Sequence, residues 1–280
     1  MKQISFGAKK VPTLGMGTWY MGEDPDSRSQ EIKALRTGME RGLTLIDTAE
    51  MYGDGLAEKL VGEAIVPMPR EELTIVTKVY PWNASREKMR ISLDNSLKRL
   101  QTDYVDMYLL HWRGDIPLEE TIESFEQLKV EGKLRAWGVS NFDVRDMEEL
   151  EAITTDCATN QVLYNMDSRG TEFDLQPWMR ARNMPMMAYT PLGHEHAVHS
   201  KFTTNPVLQE IAVDHGCSVF QILLAWCIRT GDVIAIPKSG NPEHVKANMK
   251  ALDVVLSEEE LSLIDAFFPH PKIKVPLEVL

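Results

Sequence analysis

Short, continuous apolar runs alternate with longer amphipathic stretches along this chain, and that alternation constrains its fold more than any other feature. The runs fall at 12–17, 43–47, 73–78, 105–111, 136–140, 158–161, 185–188 and 233–237. The first five start roughly 30 residues apart, the length of one strand–helix unit. Val105-Asp106-Met107-Tyr108-Leu109-Leu110 is typical in not alternating polar with apolar positions. Strands buried on both faces read this way, so a parallel sheet covered by helices is expected. The intervening stretches carry helix signals. Ser27 followed by Gln30 has the form of a capping box, Ile32, Leu35 and Met39 share a face, and Gly42 is placed to stop the helix. Met89, Leu93, Leu97 and Leu100 form a second stripe; Ile122, Phe125 and Leu128 form a third, ended by Gly132. Residues 242–252 and 257–267 read as further helices. Residues 4–6 and 10–11 flank 7–9 as a small hairpin.

Eight strands alternating with helices, without a low-complexity linker, predict a single α/β domain over residues 1–280. The expected architecture is a (β/α)8 TIM barrel with a short N-terminal hairpin and extra C-terminal helices. A doubly wound sheet would want a glycine-rich phosphate loop after its first strand. Gly15-Met16-Gly17 supplies only G-x-G, with Trp19 following, too weak a motif to carry that alternative. With 280 residues, 43% hydrophobic and 26% charged, the chain needs no disulfide or metal staple to build a core. A net charge of −12 argues against nucleic-acid or anionic-membrane partners. No run of about 18 apolar residues is present, and residues 1–10 lack the apolar centre of a signal peptide. Cys157, Cys217 and Cys227, odd in number and far apart, read as reduced thiols. A cytoplasmic protein is the expectation.

Active sites of such barrels lie at the C-terminal ends of the strands. The second predicted strand ends in Asp47, with Tyr52 shortly after; the third ends in Lys78 and the fourth in His111. Alone, a strand-end Asp often caps a helix, a Lys solvates and a His packs. Four such residues on consecutive units aim at one mouth. The chemistry is coherent: a phenol has a pKa of about 10, and an ammonium beside it stabilises the phenolate and lowers that value. Asp47 would hold Lys78 charged, His111 would orient a carbonyl oxygen, and Tyr52 would donate a proton to it.

The sequence resembles the aldo-keto reductase superfamily over essentially its whole length, most of all the bacterial broad-specificity reductases that include methylglyoxal reductases. The resemblance rests on Leu14-Gly15-Met16-Gly17-Thr18-Trp19, on Leu45-Ile46-Asp47-Thr48-Ala49-Glu50-Met51-Tyr52-Gly53, on Gly138-Val139-Ser140-Asn141-Phe142 and on Ile236-Pro237-Lys238-Ser239. It places the family's catalytic tetrad on Asp47, Tyr52, Lys78 and His111. It implies that Ser140, Asn141 and Gln161 hold a nicotinamide carboxamide and that Tyr189 stacks on its ring. Helix capping by Ser140 or Asn141 and a plain core tyrosine are the structural alternatives. Thr190 and Leu192, with His194, would cover the cofactor pyrophosphate. Lys238 and Ser239 would hold a 2′-phosphate and Asn248 the adenine. The family's arginine there is His244 and an acidic adenine contact is Ala247. Histidine lacks the guanidinium's fork and permanent charge, so NADPH is the expected cofactor with NADH use permitted.

Residues 190–205 form the longest non-periodic segment, of the kind that serves as a lid or stays disordered. They include His194, Glu195, His196 and His199, whose spacing is not that of a zinc helix, and no metal is expected. Trp19, Trp82 and Trp112 follow strand ends and could wall a pocket for a small carbonyl compound. Only a short tail follows Pro269, which suggests an open pocket. The resemblance implies reduction of small aldehydes, ketones and 2-oxoaldehydes such as methylglyoxal to alcohols, by a monomer, as is common among similar proteins. Two other classes share some of these features: a cofactor-sensing accessory subunit of a channel, and a metal-dependent hydrolase using the histidine segment.

Overall fold

Residues 3–194 and 196–280 are described by the structure, a computed structural model. Strands β1 (Gln3–Phe6) and β2 (Lys9–Pro12) form an antiparallel hairpin turned by Gly7 and Ala8. Eight further strands follow: β3 (Met16–Gly17), β4 (Leu45–Asp47), β5 (Thr74–Val79), β6 (Val105–Leu110), β7 (Leu134–Ser140), β8 (Asn160–Leu163), β9 (Met186–Tyr189) and β10 (Val233–Ala235). They pair in parallel in chain order from β3 to β10. The sheet closes on itself: Gly15 N donates to Ala235 O (2.8 Å), Gly17 N to Pro237 O (3.1 Å) and Ala235 N to Thr13 O (2.9 Å). Two isolated parallel bridges, Leu14 with Ala235 and Gly17 with Lys238, complete this seam. The barrel expected from the apolar runs is the one observed.

The glycines of Gly15-Met16-Gly17 serve the seam. A Cβ at Gly17 would stand 2.7 Å from the Ile236 carbonyl oxygen, so only hydrogen fits where the first and last strands meet. Inside, Phe6, Val11, Leu45, Val76, Met107, Leu109, Met187, Ile234 and Ile236 pack into one apolar plug. The hairpin stops the N-terminal end: Lys9 Nζ bonds the Leu73 carbonyl (2.6 Å) and lies 2.7 Å from Asp106.

Among the described residues eleven helices surround the strands: α1 (Arg28–Met39), α2 (Leu56–Ile65), α3 (Arg86–Leu100), α4 (Leu118–Val130), α5 (Val144–Glu151), α6 (Leu175–Arg180), α7 (His196–Thr203), α8 (Pro206–Asp214), α9 (Val219–Cys227), α10 (Pro242–Met249) and α11 (Glu258–Phe267). The predicted stripes of α3 and α4 are buried against the sheet, and Gly42 (φ +94°) and Gly132 (φ +77°) take the left-handed conformation that ends α1 and α4. Among the described residues no single helix is long and apolar enough to cross a membrane.

Three local expectations are corrected. Ser27 precedes α1 with helical φ and ψ and its hydroxyl bonds Asp24 (2.5 Å), so no capping box forms with Gln30. Segment 190–205 is not featureless: it contains α7, whose Phe202 is fully buried with Val198 packed beside the core. One helical turn separates those two residues, a signal too short to register as a period. The predicted helix over 242–252 ends at Met249, and the chain continues as a single 3-10 turn.

Replacing Gly17 with alanine should destabilise the protein by about 1–3 kcal/mol, since backbone must move at the seam. Denaturant unfolding measures this; an unchanged midpoint would show that the seam is not tight.

Candidate active site

β4, β5 and β6 end side by side at one rim, and their last residues set the site. Register pairs Asp47 with Val76, two residues before Lys78, so the Asp47 and Lys78 side chains leave adjacent strands on the same face of the sheet. Lys78 is fully buried and Asp47 is 2% exposed. An ammonium taken out of water must satisfy its three N–H groups. Lys78 Nζ does so by donating to Asp47 Oδ2 (2.8 Å), the Thr48 carbonyl (2.9 Å) and the Tyr52 hydroxyl oxygen (2.9 Å). Tyr52 is brought there by the turn after β4, in which Gly53, Asp54 and Gly55 all have positive φ. His111 follows β6 with its ring edge-on to Tyr52, the centroids 5.9 Å apart.

Burial dominates the electrostatics. It pushes the Asp47 carboxyl up, opposed by Lys78 and by a hydrogen bond from Gln161. It pulls Lys78 down, opposed by Asp47 and by Glu58. Tyr52 is held well above the ordinary phenol range by burial and then by the charge of Asp47. The expected lowering of the resting phenol by Lys78 is therefore corrected: the site keeps Tyr52 protonated. That is the state a proton donor needs, with the ammonium already against the oxygen that would become negative. Burial, and then Lys78, hold His111 well below its usual range, so the imidazole is neutral near pH 7.

A cavity opens above these groups. Its walls include Trp19, Tyr52, His111, Trp112, Ser140, Asn141, Gln161, Tyr189, Thr190, Leu192 and Lys238. Ser140 and Asn141 do not cap α5; Asp143 does, in a capping box with Asp146. They are instead tied into the rim. Ser140 Oγ donates to the Gln161 carbonyl (2.8 Å), and Asn141 Nδ2 donates to the His111 carbonyl (3.1 Å). Tyr189 donates its hydroxyl to Asn141 Oδ1 (2.9 Å). Thr190, a β-branched residue at φ +47°, has a buried hydroxyl without a partner among the described residues. From Lys238 the wall continues into a second depression shared with Ser239, His244 and Glu31. Ser239 also borders a smaller cavity with Asn248.

Trp82 is not brought to the cavity. It stands 55% exposed, stacked on Tyr80 with centroids 4.3 Å apart, and reaches the site only through Trp112. The short tail does not leave the mouth open on its side. Lys274 pairs with Asp174 (2.9 Å), Leu277 packs on the core, and Leu280 lines the cavity beside Tyr189. Sequence reasoning missed Leu280 because a tail's return is set by tertiary contacts. It also missed Thr18, whose hydroxyl bonds the Asp47 carbonyl (2.9 Å), although Thr18 lies within a quoted motif. Glu195 of the histidine segment lies outside the described residues, as does the side chain of His196. His194 stacks on Trp19 (5.2 Å) and His199 bonds the Gly193 carbonyl (3.0 Å). Cys157 and Cys227 are free thiols that burial pushes up to about 12, unsuited to act as nucleophiles near neutral pH.

Residues 13–268 match the Aldo/keto reductase family. The chain belongs to the aldo/keto reductase family. Among aldo/keto reductases, it is 50% identical to methylglyoxal reductase YeaE of Escherichia coli K12, covering 100% of this chain and 99% of that one. It is 34% identical to the glyoxal reductase of Bacillus subtilis, covering 92% and 89% of the two chains. A crystal structure of an aldo/keto reductase from Klebsiella pneumoniae in complex with NADP and acetate superposes with a TM-score of 0.96. Identity to it is 51%, over 100% of this chain and 99% of that one.

The buried pair at the centre of this aldo/keto reductase can be tested through stability. Lys78→Met strands the Asp47 carboxylate and should cost about 3 kcal/mol or more at pH 7. An unpaired buried carboxylate has its folded-state pKa raised, so the deficit should shrink as pH falls and Asp47 takes up a proton. Adding Asp47→Asn should restore much of the loss. Urea unfolding across pH measures both; a deficit independent of pH would show that Asp47 does not carry it.

Proposed function

We propose that this aldo/keto reductase reduces small aldehydes, ketones and 2-oxoaldehydes, methylglyoxal among them, to alcohols, with NADPH as reductant and Tyr52 as proton donor. One observation carries the reading: Lys78 Nζ stands 2.8 Å from Asp47 and 2.9 Å from the hydroxyl of a protonated Tyr52 at the cavity floor. The names of the relatives support the substrate class, since they are reductases of methylglyoxal and glyoxal. The Klebsiella structures with NADP and NADPH support the cofactor.

The residues present fit a nicotinamide dinucleotide. Amides and a hydroxyl from Asn141, Gln161 and Ser140 line the cavity near the tetrad, with the Tyr189 ring at its side. The unpartnered Thr190 hydroxyl lies beside them, and Lys238 supplies a cation toward the second depression. Ser140, Asn141 and Gln161 would hold the carboxamide and Tyr189 the ring. Thr190 and Leu192 would flank the pyrophosphate, with Lys238, Ser239, His244 and Asn248 at the adenosine end. When bound, the reduced nicotinamide supplies a hydride to a carbonyl carbon.

The chain's own groups do the rest. His111, neutral, donates a hydrogen bond that orients the carbonyl oxygen. Tyr52 gives that oxygen its proton as negative charge builds there, and the Lys78 ammonium stabilises the phenolate left behind. Asp47 keeps the ammonium in place. Trp19 and Trp112 give the carbonyl compound an apolar wall. Lys238 at the adenosine end favours NADPH, while the exposed His244 there lacks an arginine's fork and permanent charge and leaves NADH usable.

Tyr52→Phe should lower kcat for methylglyoxal by about 100-fold or more while NADPH still quenches tryptophan fluorescence. Near-normal turnover would refute the proton-donor role. His244→Arg should lower the KM for NADPH by about tenfold, the worth of one charged hydrogen bond, and leave that for NADH unchanged. Equal effects on both cofactors would place His244 away from the 2′-phosphate.

A further inference from the structure

Gln161 reaches past its expected cofactor role. Its Nε2 lies 2.7 Å from Asp47 Oδ1 and 3.6 Å from the Met187 sulfur, so both amide hydrogens have partners inside the barrel. The opposite amide orientation would set Oε1 against a carboxylate oxygen, which fixes the assignment. Both residues are almost completely buried. Asp47 thus accepts from Lys78 on one oxygen and from Gln161 on the other. Only the carbonyl oxygen of Gln161 remains to meet a ligand in the cavity.

We infer that Gln161 is a positioning residue that holds Asp47 ionised, and through it keeps Lys78 a cation beside Tyr52. This rests on the proposed function of the tetrad. The physical need is plain. In a dry site an ion pair can relax to its neutral form by moving one proton from the ammonium to the carboxylate. The result, a carboxylic acid beside an amine, leaves nothing positive to stabilise a phenolate. A donor to the carboxylate favours the ionised form. Other charged and titratable groups bear on the pair from the elements around it. Glu58 on α2 favours the ammonium, being itself bonded to Thr77 (2.5 Å) and Arg99 (2.6 Å). Tyr52 after β4 and neutral His111 after β6 complete the surroundings, and neither donates to Asp47 Oδ1. Gln161, from β8 across the barrel, supplies that donor.

The same side chain would therefore serve two tasks on opposite ends of one amide: Nε2 toward Asp47 and Oε1 toward the N–H of a cofactor carboxamide.

The test separates the two ends. In Gln161→Met, infrared titration of the cofactor-free protein, with Asp47→Asn subtracted, should show Asp47 protonating about one to two pH units higher than in the wild type. That range is the worth of a hydrogen bond to a charged group. The acid limb of kcat should move up by the same amount, with NADPH and with the reduced 3-acetylpyridine analogue, which lacks the carboxamide N–H. Wild-type protein with the analogue should bind it less tightly and keep its acid limb unmoved. Gln161→Asn, which withdraws the donor by one methylene, should behave like Gln161→Met and serves if that variant does not fold. Weaker NADPH binding with the Asp47 titration and acid limb unmoved would overturn the inference. If no carbonyl compound is reduced by the wild type, the proposed function fails, while the infrared titration still decides whether Gln161 holds Asp47 ionised.

Discussion

A lysine with no exposure to water organises this molecule. Its three donors must be met by acceptors within hydrogen-bond distance, and each comes from the segment that begins at the end of β4: Asp47, Thr48 and Tyr52. That requirement dictates the order of β4 and β5 in the sheet and the left-handed turn Gly53-Asp54-Gly55 that folds Tyr52 back. It also explains why the barrel interior is graded. Apolar side chains fill the layers beneath, and the polar groups around Lys78 gather at the rim. A charge lower in the barrel would meet no acceptors and would cost several kcal/mol to bury.

Much of this was legible in the sequence, for identifiable reasons. A strand buried on both faces has to be a continuous apolar run, so Val105–Leu110 and Thr74–Val79 announce themselves and their ends place Lys78 and His111. Helices that cover such strands show stripes, as in α3 and α4. What stayed hidden depends on contacts between distant residues. Trp82 looks like a pocket wall from its position after β5, yet stacking on Tyr80 turns it outward. The tail after Pro269 carries no pattern, and its return to the mouth is made by Lys274 with Asp174 and by Leu277 in the core. The direction of the Tyr52 shift was hidden too, because a neighbouring ammonium can be read from spacing and the burial that outweighs it cannot.

The rim also stores strain. Tyr20, Asn141 and Thr190 all have positive φ without being glycine, and all three line the cavity. Asparagine tolerates that conformation; a β-branched threonine does not, at a cost of order 1–3 kcal/mol. The surroundings impose it. Asn165 Nδ2 holds the Thr190 carbonyl (3.1 Å), and the hydroxyl of adjacent Tyr189 is bonded to Asn141 (2.9 Å). The consequence is that the Tyr189 ring and the Thr190 hydroxyl are fixed at the cavity before any ligand arrives, and the hydroxyl is left without a partner among the described residues.

Rigidity at one end and latitude at the other follow from the same geometry. Around Asp47 the polar groups form one hydrogen-bonded chain, from Gln161 to Asp47 and from Lys78 to both Asp47 and Tyr52, so a change in any of them disturbs the charge that the others stabilise. At the proposed adenosine end, Lys238, Ser239 and His244 lie in a depression open to solvent, where water can replace a lost contact. On the proposed reading, a histidine there alters affinity for one phosphate and leaves the reacting groups untouched, whereas a substitution of similar size beside Lys78 would remove the charge on which the proposed chemistry depends. The proposed function therefore confines its reacting charges to the rim of β4, β5, β6 and β8, and leaves the discrimination between cofactors to the loop after β10.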